Sequence, residues 1–412
     1  MIKYERFELE NGLTIIVHED QNIETAVFNL LYKVGSRDED PDKTGFAHLF
    51  EHLMFGGSLN APDFDGELQK VGGENNAFTS PDVTNYYETV PASNIETAFW
   101  LEADRMCHLN LDPKSLEVQR KVVIEEFKQR YLDQPYGDAW LKLRPLAYQE
   151  HSYSWATIGK EISHIEDATL EDVKHFFDTY YVPNNAVLVV GGNVTSSQVL
   201  ELANKYFGHI PKGELPRRSI TDEPQQLEKR TLHVYEAVPQ RAIYKVYHMP
   251  ARNDEQYYAT DLLSDILGRG KSSRLYTALV QEKELMNNVS CYVTGSFAPG
   301  LLVIGGRLRD GVTFEEVEAE VDAVINQLIE QGLNENELQK VKNQSEASVV
   351  FGRVEVLEKC IALAYAEALG DINLVNNELT LLNKVDEQDV LAMAKQVLRE
   401  ENSSVLYYDI KK

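Results

Sequence analysis

Gly45-Phe46-Ala47-His48-Leu49-Phe50-Glu51-His52-Leu53-Met54-Phe55 is the stretch from which the rest of the chain is read. A helix over these residues places His48 and His52 one turn apart on the same face, with Glu51 inside the same arc. Two neutral imidazoles can then reach a single cation, with a carboxylate beside the position left open. Zinc favours such nitrogen ligands, and a catalytic zinc site takes three protein ligands plus water. A pair of helical histidines can equally be a solvated surface, so the neighbouring sequence decides.

Upstream, Phe7-Glu8-Leu9-Glu10 leads through the turn Asn11-Gly12 into Leu13-Thr14-Ile15-Ile16-Val17-His18. Residues 25–34 then form a long, largely apolar run of interior-strand type. Downstream, helices are expected over 95–109 and 114–131, a strand over 186–191, and a helix over 195–207. From Pro211 to Arg230 prolines, glycine and charges follow one another with little periodicity, as in a linker. After it the opening pattern recurs, with strands over 230–235 and 240–248 and a helix over 254–267 in the place held by the His48 helix. A strand over 301–305 and an amphipathic helix over 314–331 complete the repeat. At 412 residues the chain exceeds the usual ~100–200 of one domain. The expected organisation is a metal-bearing domain at 1–212, a linker at 213–230, and a homologous domain without a metal motif at 231–412. The fold class is α+β: two homologous α/β halves, each a mainly antiparallel sheet packed with helices.

Several further stretches carry a resemblance. They are Val34-Gly35-Ser36-Arg37-Asp38-Glu39, Thr44-Gly45-Phe46-Ala47, Gly72-Gly73-Glu74-Asn75-Asn76-Ala77-Phe78-Thr79, Thr84-Asn85-Tyr86-Tyr87, Leu101-Glu102-Ala103-Asp104-Arg105-Met106 and Ser272-Ser273-Arg274-Leu275-Tyr276. With the His-x-x-Glu-His order, which reverses the commoner His-Glu-x-x-His and marks inverzincins, they resemble the pitrilysin, insulysin and mitochondrial processing peptidase family. The likeness is densest in the first 130 residues, and the length is that of the short bacterial and mitochondrial members. It implies a zinc metalloendopeptidase, one Zn2+ per chain, whose fold forms half of a clamshell chamber. His48 and His52 would be ligands and Glu51 the general base. The family's third ligand is a glutamate some 75 residues on, in a Glu-Arg-x-Val-Val-x-x-Glu pattern. Here Gln119-Arg120-Lys121-Val122-Val123-Ile124-Glu125-Glu126 matches it and places the ligand at Glu126, with Glu125 as its rival. Positions 119, 122, 123 and 126 share a helix face, which favours Glu126. Gln119 stands where the family often has a second glutamate, so any outer hydrogen bond there carries no charge.

The same resemblance implies that Asn76, Ala77 and Phe78 belong to an edge strand that holds a peptide substrate. Family members also carry an Arg and a Tyr seven residues apart in the C-terminal half or in a partner chain. At those positions this sequence has Gln281 and Asn288. The expected partner is therefore a homologous chain that supplies the pair, as a heterodimer, with a homodimer as the alternative. The rival function is a non-catalytic scaffold or peptide-holding subunit of the same fold.

The net charge of −26 argues against a general affinity for nucleic acid or anionic lipid. No apolar run reaches the ~18 residues that cross a bilayer. The N-terminus lacks the basic start and apolar stretch of a secretory signal, which predicts a cytoplasmic location. Cys107, Cys291 and Cys360 are too few and too scattered for a disulfide framework or a thiolate metal site. Gly268-Arg269-Gly270-Lys271-Ser272 lacks the first glycine and the preceding strand of a phosphate loop, so it is not read as a nucleotide site.

Overall fold

The computed structural model describes residues 1–216 and 220–411. Residues 217–219 of the expected linker and residue 412 lie outside the described residues. The strands are β1 (Glu5–Glu8), β2 (Thr14–Glu19), β3 (Thr25–Tyr32), β4 (Glu74–Thr79), β5 (Thr84–Pro91) and β6 (Ala186–Gly192) in one sheet. The other sheet holds β7 (Arg230–Glu236), β8 (Ala242–Met249), β9 (Met286–Val293), β10 (Gly300–Leu308) and β11 (Ser403–Ile410). The first sheet has the order β1-β2-β6-β3-β5-β4 and the second β7-β11-β8-β10-β9. Without β1 the two orders are the same. Each begins with one parallel pair, β2 with β6 and β7 with β11, and every other pairing is antiparallel. The repeat read from the sequence is thus a repeat of sheet topology.

Compact packing does not follow the linear division at 1–212 and 231–412. One unit comprises residues 1–128, 155–220 and 350–377, and the other residues 129–154, 221–349 and 378–412. Each half of the sequence lends a helical segment to the sheet of the other, and side-chain alternation along the strands explains why.

In the first unit, Phe28 of β3 points to the face where Phe99 and Phe207 pack, at ring-centroid distances of 4.9 and 6.3 Å. The opposite face carries Gly191 of β6 and receives the helix Val356–Leu369, whose Cys360, Leu363 and Ala364 are buried. The helix passes close over Gly191, where a Cβ would sit 2.5 Å from Cys360 Sγ and 3.0 Å from Val356 Cγ1. Asn376 near the end of this segment accepts the Ile2 N–H at 2.8 Å and donates to the Ile2 carbonyl at 2.9 Å. In the second unit, one sheet face buries Ile243, Tyr247, Leu302 and Ile304 against helices from its own half. The other face buries Ala242, Val246, Leu301 and Val303 against Ala139, Leu143 and Ala147, which come from residues 129–154.

The helix expected over Gly45–Phe55 spans Phe46–Leu53, and that expected over 114–131 runs Pro113–Phe127 and loosens into a π-turn at Lys128–Leu132. No helix among the described residues is long and apolar enough to cross a membrane.

Gly191→Ala is expected to cost about 1–3 kcal/mol, as overpacking of a closed core does. Cys360→Ala in the same chain should recover part of that loss. A urea-denaturation double-mutant cycle with strictly additive effects would refute the close contact.

Candidate metal centre

The helix Phe46–Leu53 buries Phe46, Ala47, Leu49, Phe50 and Leu53. Phe46 and Phe50 pack on Phe176 of the helix Leu170–Tyr180 at 6.0 and 5.2 Å, and Phe50 meets Tyr181 at 5.1 Å. This apolar seat fixes the rotation of the helix and turns His48 and His52 towards the helix Pro113–Phe127. That second helix begins with Asp112, whose carboxylate accepts the N–H groups of Lys114 and Ser115, and has Pro113 at its first position.

In the last turn of the Pro113–Phe127 helix, Glu126 reaches the histidine pair. Its Oε2 lies 3.1 Å from His52 Nε2 and 3.7 Å from His48 Nε2. The two imidazoles stand edge to face with centroids 4.9 Å apart. One potential ligand atom from each of the three residues lies within 4.8 Å of the others, a set that could hold a metal ion. Glu125 points elsewhere. It is 60% exposed against 17% for Glu126, and it pairs with Lys128 at 2.7 Å. The structure therefore brings Glu126, and not Glu125, to the imidazoles. Gln119 lies half-buried two turns before Glu126 on the same helix.

Glu51 does not join the cluster of three. Its Oε2 accepts a hydrogen bond from Thr79 Oγ1 at 2.5 Å, which links the His48 helix to β4. Among the described residues β4 pairs only with β5, so its other edge is unpaired. Asn76 is exposed, and its Oδ1 accepts the Ala77 N–H at 2.8 Å. That N–H consequently stands outside the ladder with β5, on the free edge. Ala77 and Phe78 are half-buried.

Gln281 and Asn288 are both exposed and lie in the second unit. The Gln281 amide donates to the Lys271 carbonyl at 3.4 Å, and Asn288 Oδ1 accepts the Arg307 N–H at 3.0 Å.

Two buried charged residues at the ends of the His48 helix escaped the reading of the sequence. Glu39 Oε2 accepts the Gly45 N–H at 2.9 Å and the Trp155 indole N–H at 3.1 Å, while Oε1 accepts the Ala47 N–H at 2.9 Å. Burial pushes its carboxyl up to about 8, although all three partners are donors and the ionised form alone satisfies them. At the other end the fully buried Arg105 donates to the Met54 carbonyl at 3.4 Å and to Glu102 Oε2 at 2.7 Å. Its guanidinium lies over Phe64 and Tyr86, 4.4 and 4.5 Å from the ring centroids. Glu88, 3.4 Å from Arg105, is held far above the usual carboxylate range by burial and by Glu102. The available signal was a helix start with no capping side chain, since Gly45 precedes it and its first turn has no acid.

Residues 14–149 match the family described as insulinase (peptidase family M16), and residues 167–345 match the peptidase M16 inactive domain. The zinc protease PqqE of Helicobacter pylori is 34% identical over 362 residues, covering 84% of this chain and 80% of its own. The beta subunit of the mitochondrial-processing peptidase of Saccharomyces cerevisiae is 31% identical over 212 residues, 51% of this chain and 45% of its own. The crystal structure of a protease from Helicobacter pylori superposes with a TM-score of 0.93 at 28% identity, covering 99% of this chain and all of that one.

The Leu170–Tyr180 helix that supports Phe46 and Phe50 begins with a capping box of Thr169 and Asp172, and Asp172 also pairs with Lys43. The Lys43 bond, followed by the Thr169 hydroxyl, lowers the Asp172 carboxyl to about 2. A carboxyl depressed in the folded state contributes stability above the ordinary carboxylate range and loses it as pH falls through about 2. Asp172→Asn should therefore lower stability at pH 7 by at most about 1 kcal/mol, because the pair is largely solvated. The difference in Tm from the unsubstituted protein should close as pH falls from about 4 to 2. A gap of constant size across that range would contradict this.

Proposed function

Because the chain belongs to peptidase family M16, we propose that it is a zinc-dependent endopeptidase, with His48, His52 and Glu126 as ligands and Glu51 as general base. The convergence of two imidazole nitrogens and one carboxylate oxygen within 4.8 Å carries this reading. Zinc, a borderline-soft ion, takes such an N/N/O donor set at catalytic sites. Zinc bound there supplies Lewis-acid chemistry, polarising a carbonyl and acidifying water.

The remaining chemistry belongs to the chain. Glu51 takes the proton of the attacking water and delivers it to the leaving amine. Its hydrogen bond from Thr79 orients one carboxylate oxygen and leaves the other for the water. A substrate in extended form adds to the free edge of β4. Its carbonyl replaces Asn76 Oδ1 at the Ala77 N–H, and the released Asn76 amide bonds the peptide in turn. The inactive-domain match covers residues 167–345 and leaves the His48–Glu126 set outside it, so it does not favour a scaffold role.

Gln281 and Asn288 offer neither a positive charge nor a phenol for a developing oxyanion. The chain is accordingly read as the zinc-bearing member of a pair. A homologous chain with Arg and Tyr at those positions is the preferred partner, and a second copy of this chain is the alternative.

Glu51→Gln is expected to lower turnover of a quenched peptide by about 10²–10⁴-fold, the usual share of general acid–base catalysis. It should keep one zinc per chain by metal analysis. Loss of zinc from this variant would move Glu51 into the ligand set, and hydrolysis insensitive to a chelator would overturn the proposal. Purification from the native cell should bring a homologous second chain with it. Full activity of the lone monomer would contradict the pairing.

A further inference from the structure

We infer that Glu39 and Arg105 are positioning residues that hold the His48 helix by its two ends, and that metal affinity depends on this hold. The inference rests on the metal-centre reading given above.

The helix has eight residues, Phe46–Leu53. Isolated helices of that length are marginal in water, since few backbone bonds offset the cost of nucleation. Its first N–H groups have no partner inside the helix, and its own sequence supplies none. Gly45 has no side chain and sits at φ +93°, and the first turn has no acid. A different residue at 45 would not mend this, because a Cβ would meet the Ile158 carbonyl oxygen at 2.7 Å and Ile165 Cδ1 at 2.8 Å. The cap is instead supplied by Glu39, six residues before Gly45. Both carboxylate oxygens are used, one for Gly45 and one for Ala47, the residue directly before His48. The Trp155 indole N–H, shared with the Ser36 carbonyl at 2.8 Å, reaches the carboxylate from a third side at 3.1 Å.

The other end is held by a cation. Arg105 reaches the Met54 carbonyl, one residue past the helix, while Glu102 fixes its guanidinium. Accepting oxygens at the N-terminus and a cation at the C-terminus both suit the helix dipole. A shift of the helix along its axis would break both sets of bonds together. His48, Glu51 and His52 lie between these anchors, so the anchors set where their side chains stand relative to Glu126 and Thr79.

Glu39→Gln tests the inference while keeping shape and volume. The amide has one acceptor oxygen, so its NH2 must face a backbone N–H, donor against donor. Zinc dissociation constants from competition with a chromogenic chelator should rise about 10-fold or more, the scale of losses behind metal ligands. Turnover should fall chiefly through kcat, with KM within about 2-fold. Leu202→Ala, in the same unit on the helix Ser196–Phe207, serves as the control. It should lower Tm without moving zinc affinity. Zinc binding by Glu39→Gln as tight as in the unsubstituted protein overturns the inference.

Should Glu39→Gln fail to fold, hydrogen exchange on the unsubstituted, zinc-free protein still decides. The Gly45 and Ala47 amides should be as protected as that of Leu49, which bonds the Gly45 carbonyl inside the helix. Rapid exchange at both would overturn the clamp. Absence of zinc binding and of chelator-sensitive hydrolysis in the unsubstituted protein would refute the metallopeptidase reading instead, with the exchange result standing apart from it.

Discussion

A short helix cannot keep three side chains in register by its own backbone. Eight residues give too few internal hydrogen bonds, so the direction and rotation of the segment come from what it is packed against. Here those constraints are separable. Phe46 and Phe50 against Phe176 and Tyr181 fix the rotation. Glu39 and Arg105 fix the position along the axis. Glu126 arrives from a helix with its own conventional cap at Asp112. The placement of the cluster is thus over-determined by elements far apart in sequence.

The second half shows what the same topology does without that demand. The helix Tyr257–Gly268 occupies the corresponding place after β8, yet it buries Leu262, Leu263, Ile266 and Leu267 and contains no histidine. It is longer and almost wholly buried, as suits a helix that serves a core. A repeated sheet order therefore supports two different tasks, and the difference lies in a few side chains on one connection. The inactive-domain family match on residues 167–345 accords with this division of labour.

The local parts of this arrangement could be read from the sequence. The spacing of His48 and His52 is a helical period, the turn at Asn11-Gly12 announces a hairpin, and alternation or long apolar runs mark β2, β3, β6 and β8. The shared face of 119, 122, 123 and 126 ranked Glu126 over Glu125, and the side chains stand that way. Strands β5, β9 and β11 went unread, as did the helix Phe64–Lys70, the three helices between Ala139 and Tyr180, and the helices after residue 331. β5 mixes Asn, Tyr, Glu and Thr at buried positions, and polar side chains there are tolerated only because partners on other elements bond them, as Asn85 does with Asn29. The roles of Glu39 and Arg105 were hidden for the same reason. Both residues lie in stretches quoted for their resemblance, but a cap supplied through space has no fixed offset in sequence. The exchange of residues 129–154 and 350–377 was equally invisible, because hydrophobic periodicity reports that a helix has a buried face and not which sheet covers it.

That exchange has a consequence for how the protein comes into being. Chains emerge from the ribosome N-terminus first, and domains generally fold as they appear. One face of the first sheet is covered by Val356–Leu369, and Ile2 finds its partner at Asn376. Until the ribosome has delivered those late residues, Gly191 and its apolar neighbours have a bare surface facing the cell. Synthesis of the second sheet has to run nearly to its last strand while the first waits, so the earliest-made part of this protein is among the last to be finished.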